Sequence, residues 1–128
     1  MANTKGPAPI AAVLEALPLA AAVKAVPKAL YRSLQEIGRL DTHILALERA
    51  QAVRAAEIAA NVLERKSEDG KALASNDLAR KALIERETAS DPECQRMATE
   101  LAGLRRERSA VQADAEVLRT AAGLITRS

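Results

Sequence analysis

Two side chains in this sequence have the chemistry of a catalytic or metal site: His43, the single histidine, and Cys94, the single cysteine. A helical metal site needs several ligands at spacings such as Glu-x-x-His, and no acidic residue lies three positions before His43. A nucleophilic cysteine needs a base, and His43 is the one imidazole in the chain. We therefore predict a solvated or locally bonded histidine and a buried cysteine, with no metal, cofactor or catalytic residue.

Other catalytic motifs are also missing from the sequence. The five glycines are isolated from one another, so no glycine-rich phosphate loop is predicted. No serine lies in a nucleophile-elbow pattern. We expect a protein that is not an enzyme.

The densest cationic cluster is Arg105, Arg106 and Arg108, which are the candidate phosphate contacts. Acidic neighbours such as Glu107 dilute its charge, and the chain has one tyrosine and no other aromatic residue with which to stack bases. The net charge of +2 also lacks the basic excess of most nucleic-acid-binding proteins. Ion pairing at the surface is therefore the favoured interpretation of this cluster.

The element that positions this cluster is a long seam in the last third of the chain, where apolar or small residues recur at alternating steps of three and four. This heptad pattern is typical of a helix that packs along another helix. Its positions are Cys94, Met97, Leu101, Leu104, Arg108, Val111, Ala115, Leu118, Ala122 and Ile125. Arg108 is its one charged member, and in an antiparallel pairing we expect it to bind Asp41 or Glu48.

A second long helix is predicted over residues 28–67. Its apolar stripe consists of Leu30, Leu34, Ile37, Leu40, Ile44, Leu47, Ala55, Ile58 and Val62. Residues 50–60 are rich in alanine, and small side chains permit close approach of a neighbouring helix. Ala52, Ala56 and Ala59 are therefore predicted partner contacts.

Between these helices, a polar segment ending in Gly70 predicts a helix stop. A shorter helix is predicted from Asp77 to Ala89, capped by Ser75 or Asn76, with Leu78, Ala82 and Leu83 facing inward. The sequence Ser90-Asp91-Pro92-Glu93 predicts a capping box that starts the last helix, which is expected to reach about Leu124.

Residues 1–30 are predicted to form an apolar arm in which Pro18 and Pro27 each end a short amphipathic turn. Two interpretations of the arm stay open: it docks into a partner's groove, or it folds over its own hairpin. For the first interpretation the predicted contacts are Ile10, Leu14, Leu17, Val23 and Val26.

Together these patterns predict an all-α fold: an antiparallel helical hairpin or coiled coil of two long helices, with a shorter middle helix and a proline-punctuated arm. Residues 31–128 form the predicted hairpin domain. A core of alanine and aliphatic residues, without Phe or Trp, buries little area per residue. We therefore expect an assembly or adaptor protein that associates with itself or with a larger complex.

Two alternative functions are retained from other classes. One is a small nucleic-acid-associated or inhibitor protein that uses the arginine cluster together with Arg80 and Lys81. The other is a membrane-surface protein in which residues 8–30 lie in the interface, although lysine is sparse there and no Trp or Phe anchors the segment. The lone cysteine is typical of a reducing compartment, so a cytoplasmic location is expected.

Overall fold

The computed structural model describes residues 10–15, 18–65 and 76–127, and within these ranges the chain forms four helices and no strand. The helices are α1 (Ile10–Glu15), α2 (Leu19–Glu64), α3 (Asp77–Ser90) and α4 (Pro92–Arg127). The all-α prediction is confirmed, and so is the hairpin, since α2 and α4 pack against each other. The predicted helix stop at residues 67–70 lies outside the described residues.

Residues 43–104 form one compact unit, made from the second half of α2, from α3 and from the start of α4. Its core is Leu47, Met97 and Leu101, with Ile44 and Leu104 packed against it. The side chain of His43 on α2 lies 3.5 Å from that of Glu100 on α4. Arg54, further along α2, pairs with Asp91, which comes just before the first residue of α4. Helices α2 and α4 of this unit therefore run antiparallel. The predicted antiparallel pairing is thus confirmed within this unit.

The second compact unit joins residues 1–42 with residues 105–128. Its buried residues are Val26, Ile37 and Leu40 from α2 and Ala115 and Leu118 from α4. Leu40 of the α2 stripe and Ala115 of the α4 seam are both 0% exposed, so the two side chains are fully removed from water.

The seam predicted for the last third of the chain is confirmed. Each of its ten positions is buried or half-buried, including Arg108. The stripe on α2 is confirmed with one exception, because Leu34 is exposed. An aliphatic stripe on so long a helix is wider than the contact it makes, so a residue at its margin stays in water.

The predicted helix break at Pro27 is wrong. Helix α2 begins at Leu19 and continues through Pro27 into the long hairpin helix, and the ring of Pro27 is exposed. The neighbouring Val26 is 1% exposed. Packing of that side chain offsets the backbone hydrogen bond that proline cannot donate.

Helix α2 instead starts directly after Pro18. The carbonyl oxygen of Pro18 accepts a hydrogen bond from the backbone N–H of Ala22 at 3.0 Å. Upstream, α1 ends at Glu15. Ala11 and Leu14 of α1 share a shallow groove with Val117 and Ala121 of α4. This arrangement favours the interpretation in which the arm folds over its own hairpin.

The junction between α3 and α4 differs from the predicted capping box. The N-cap of α4 is Asp91, whose Oδ2 accepts from the backbone N–H of Cys94 at 2.9 Å, and Pro92 takes the first helical position. Ser90 is the last residue of α3, and its hydroxyl donates to the carbonyl oxygen of Arg86 at 3.1 Å. A serine hydroxyl that is bonded within the preceding helix cannot cap the next one.

Helix α3 confirms its predicted cap but only part of its predicted orientation. The backbone N–H of Ala79 donates to Oδ1 of Asn76 at 2.7 Å, as expected for an N-cap. Leu83 is half-buried, as predicted, but Leu78 is 80% exposed and Ala82 is exposed. The half-buried face of α3 includes Ile84 and Glu87 as well as Leu83. The prediction about Leu78 was wrong because α3 has little amphipathic contrast.

Candidate protein-interaction surface

The ion pair between Arg54 and Asp91 fixes how α2 meets the α3–α4 junction. Nη2 and Nε of Arg54 donate to Oδ1 and Oδ2 of Asp91 at 2.7 and 3.1 Å, a bidentate pair. The Asp91 side chain is 11% exposed, and it also caps α4 through Cys94. Its hydrogen bonds to Arg54 and to the Cys94 amide hold the pKa of Asp91 far below its usual range. The same pairing raises the pKa of Arg54.

A second bidentate pair lies nearer the end of α2. Arg65 donates to both carboxylate oxygens of Glu87 on α3, with Nη2–Oε1 at 2.6 Å, and its Nε donates to Oδ1 of Asn61 at 2.8 Å. The two pairs line one open groove, of about 420 Å³, together with Glu57 and Ile58. Both guanidinium groups of this groove are paired with carboxylates, those of Asp91 and Glu87. The groove therefore joins helices and offers no unpaired guanidinium to an anionic ligand.

The predicted partner of Arg108 is confirmed as Asp41. Nε and Nη2 of Arg108 donate to Oδ1 and Oδ2 of Asp41 at 2.5 and 3.4 Å. The guanidinium lowers the pKa of Asp41, first by hydrogen bonding and then by its charge. Nearby, Nη2 of Arg39 lies 3.7 Å from Oε2 of Glu107.

This pairing changes what the arginine cluster can do. Arg108 is committed to a carboxylate of its own chain, so a phosphate would have to displace Asp41 to bind it. Arg105 and Arg106 are exposed. Two exposed arginines beside an acidic residue, Glu107, form a small mixed-charge patch.

His43 and Cys94 lie in unremarkable surroundings. Nε2 of His43 is 3.5 Å from Oε1 of Glu100 on α4, and both side chains are well exposed. Burial, and then the hydrogen bond to Asp91, raises the pKa of the half-buried Cys94 thiol, which disfavours the nucleophilic thiolate. The described residues contain no group of His, Cys, Asp and Glu side chains that could hold a metal ion.

The predicted contacts in the arm differ in how exposed they are in the structure. Ile10 and Leu14 are half-buried and Val23 is 47% exposed. Val26 is buried inside its own chain, which removes it from the surface that a partner could contact. Leu17 lies outside the described residues. Among the described residues, no helix is long and apolar enough to cross a membrane.

The predicted contacts in the alanine-rich region belong to a larger pattern on the side of α2 that turns away from the core. Ala52 and Ala56 are exposed and Ala59 is half-buried. They lie within a heptad series with alternating steps of four and three, which we call the outer seam: Leu45, Arg49, Ala52, Ala56, Ala59 and Leu63. Helix α2 therefore carries two apolar faces, and α4 packs on the other one.

The outer seam contains large apolar side chains as well as small ones. Leu45 is 46% exposed and Leu63 is 57% exposed. Val53, which is 61% exposed, flanks the seam together with Ala46 and Ala60. The seam is about 27 Å long, at 1.5 Å of rise per residue. Sequence reasoning found only its alanines, although counting heptads on the second face of α2 would have revealed the whole series.

Comparison of the chain with models of known protein families, with curated proteins and with solved structures found no match.

Proposed function

We propose that this chain is a non-enzymatic assembly or adaptor protein that binds another helix through the outer seam of α2. The observation that carries the proposal is a heptad series on α2 with six positions, of which five are apolar or small and one is Arg49; every position except Ala59 is exposed in the single chain. Apolar residues at heptad spacing are unusual on a helix face that is exposed to water, because such faces are normally polar.

The composition of the seam sets the strength of the expected contact. Leu45, Val53 and Leu63 are each about half exposed, so covering them would contribute about 1 kcal/mol apiece. Ala52 and Ala56 contribute little area, but they allow two helix backbones to approach closely. Because association also costs rotational and translational entropy, we expect reversible binding rather than a permanent complex.

The polar groups of unit 43–104 support a structural role. Arg54 and Arg65 are both engaged by carboxylates of other helices, Asp91 and Glu87. Such pairs set the positions of the helices. We also propose a cytoplasmic location, since the lone Cys94 suits a reducing compartment.

The test compares two full-length variants with the same chemical change. Ala56→Glu places a charge at the centre of the outer seam, and Ala98→Glu places one on an exposed position of α4 within the same unit. Each is tagged for proximity labelling in cells of the source organism, and the molar mass of each is measured by light scattering. We expect Ala56→Glu alone to lose association, whether with itself or with another protein. Equal behaviour of the two variants in both measurements would refute the proposal.

A further inference from the structure

We propose that the occupant of the outer seam is the same seam of a second copy of this chain, with the two α2 helices running antiparallel about a two-fold axis near Ala52 and Ala56. This inference rests on the proposed function and names its partner.

The outer seam is close to a palindrome in side-chain size. When two copies run antiparallel with Ala52 opposite Ala56, Leu45 of one copy lies opposite Leu63 of the other. The two end layers of the contact then pair leucine with leucine, and the central layers pair alanine with alanine. An isologous interface needs a surface that is complementary to itself, and this order of residues provides it.

Arg49 selects the antiparallel direction. It is the one charged position of the outer seam, and it forms no ion pair within the described part of the chain. In the antiparallel register it lies opposite Ala59, whose small side chain leaves room for the guanidinium.

A parallel pair would be less stable for the same reason. It would place Arg49 against Arg49 in the layer next to the Leu45 end of the contact, two like charges in one layer. In the antiparallel pair the two arginines are about 15 Å apart along the axis, at 1.5 Å per residue.

Val53 adds apolar area at the two-fold axis. It flanks the outer seam on the side where the antiparallel register brings the same residue from both copies together, and it is 61% exposed in the single chain. Covering Val53 with both pairs of leucines closes the apolar face along its whole length.

The test is disulfide formation in full-length protein with Cys94→Ala as background, which removes the native thiol. Leu45→Cys and Leu63→Cys are prepared as two separate variants, then oxidised singly and as a mixture. We expect a covalent dimer in the mixture and none in either variant alone, because equal positions at the ends of the seam lie about 27 Å apart in the antiparallel register. The matched control pairs Leu45→Cys with Ala98→Cys, which should not cross-link.

Three results would overturn the inference. Cross-linking of Leu45→Cys with itself would mean a parallel pair. A dimeric mass without cross-linking in the mixture would mean that another face holds the copies together. If the protein is monomeric by light scattering, and Ala56→Glu no longer labels a protein that the wild type labels, then another protein occupies the seam. In that last case the proposed function stands while the inference fails; the proposed function fails only if Ala56→Glu and Ala98→Glu behave alike.

Discussion

Replacing Pro27 with alanine is expected to stabilise the protein, because Pro27 lies inside α2. Proline in a helix interior costs about 3 kcal/mol relative to alanine, since it donates no hydrogen bond to the carbonyl four residues earlier and its ring crowds that carbonyl. In this chain that carbonyl belongs to Val23. Proline also restricts the unfolded chain, which returns about 0.4–1 kcal/mol to the wild type. The expected net gain for Pro27→Ala is therefore about 2 kcal/mol.

The assay is urea denaturation followed by far-ultraviolet circular dichroism, with Pro92→Ala as the control. Pro92 is the first residue of α4, where no hydrogen bond is lost. Pro92→Ala should therefore destabilise the protein by about 0.4–1 kcal/mol through the unfolded chain alone. The two substitutions are thus expected to change stability in opposite directions. If Pro27→Ala leaves stability unchanged or lowers it, α2 does not continue through residue 27 in solution and the reasoning is wrong.

Three further predictions concern the packing and the ion pairs. Leu40→Ala should lower the free energy of unfolding by about 2–5 kcal/mol, since Leu40 is 0% exposed, whereas Leu78→Ala, at a position 80% exposed, should change it by less than about 0.5 kcal/mol in the same urea titration. The lowered pKa of Asp91 means that its folded form binds a proton less readily than its unfolded form, so its contribution is present at neutral pH and is lost as pH falls below the ordinary aspartate range; Asp91→Ala should flatten the pH dependence of stability between pH 5 and 2, measured by thermal melts. A double-mutant cycle on Asp41 and Arg108 should show favourable coupling that weakens in high salt, and zero coupling at low salt would contradict the pairing.

Periodicity predicted the fold and the main seam correctly because both depend on local spacing. Steps of three and four put Met97, Leu101 and Leu118 on one face whatever the partner is, and all three are buried. The pairing of Arg108 with Asp41 could also be predicted, since a cation on a seam needs a carboxylate and an antiparallel hairpin brings residue 41 near residue 108.

The pairing of Arg54 with Asp91 could not be predicted from spacing. It joins residues 37 positions apart across a register that depends on where the intervening connection ends. The sequence Ser90-Asp91-Pro92-Glu93 predicts a capping box with Ser90 as the cap, but in the structure Asp91 caps α4. The Ser90 hydroxyl donates a hydrogen bond within α3, to the carbonyl oxygen of Arg86. Asp91 accepts hydrogen bonds from both the Cys94 amide and Arg54.

The outer seam was only partly predicted for a different reason. Heptad spacing identifies a helix face but does not say whether that face is covered within the chain. Leu45 and Leu63 have the same spacing as core residues, and only their exposure in the folded chain distinguishes them. Val26 shows the converse: it was predicted as a partner contact and proved to be a core residue.

The most direct test of association through the outer seam is sedimentation equilibrium of the wild type beside Ala56→Glu and Ala98→Glu. The wild type and Ala98→Glu should approach twice the chain mass of 13.6 kDa with rising concentration, with equal dissociation constants. A buried, unpaired glutamate at each copy's Ala56 should weaken association by about 100-fold or more, a cost of about 3 kcal/mol. Identical dissociation constants for all three proteins would contradict the account.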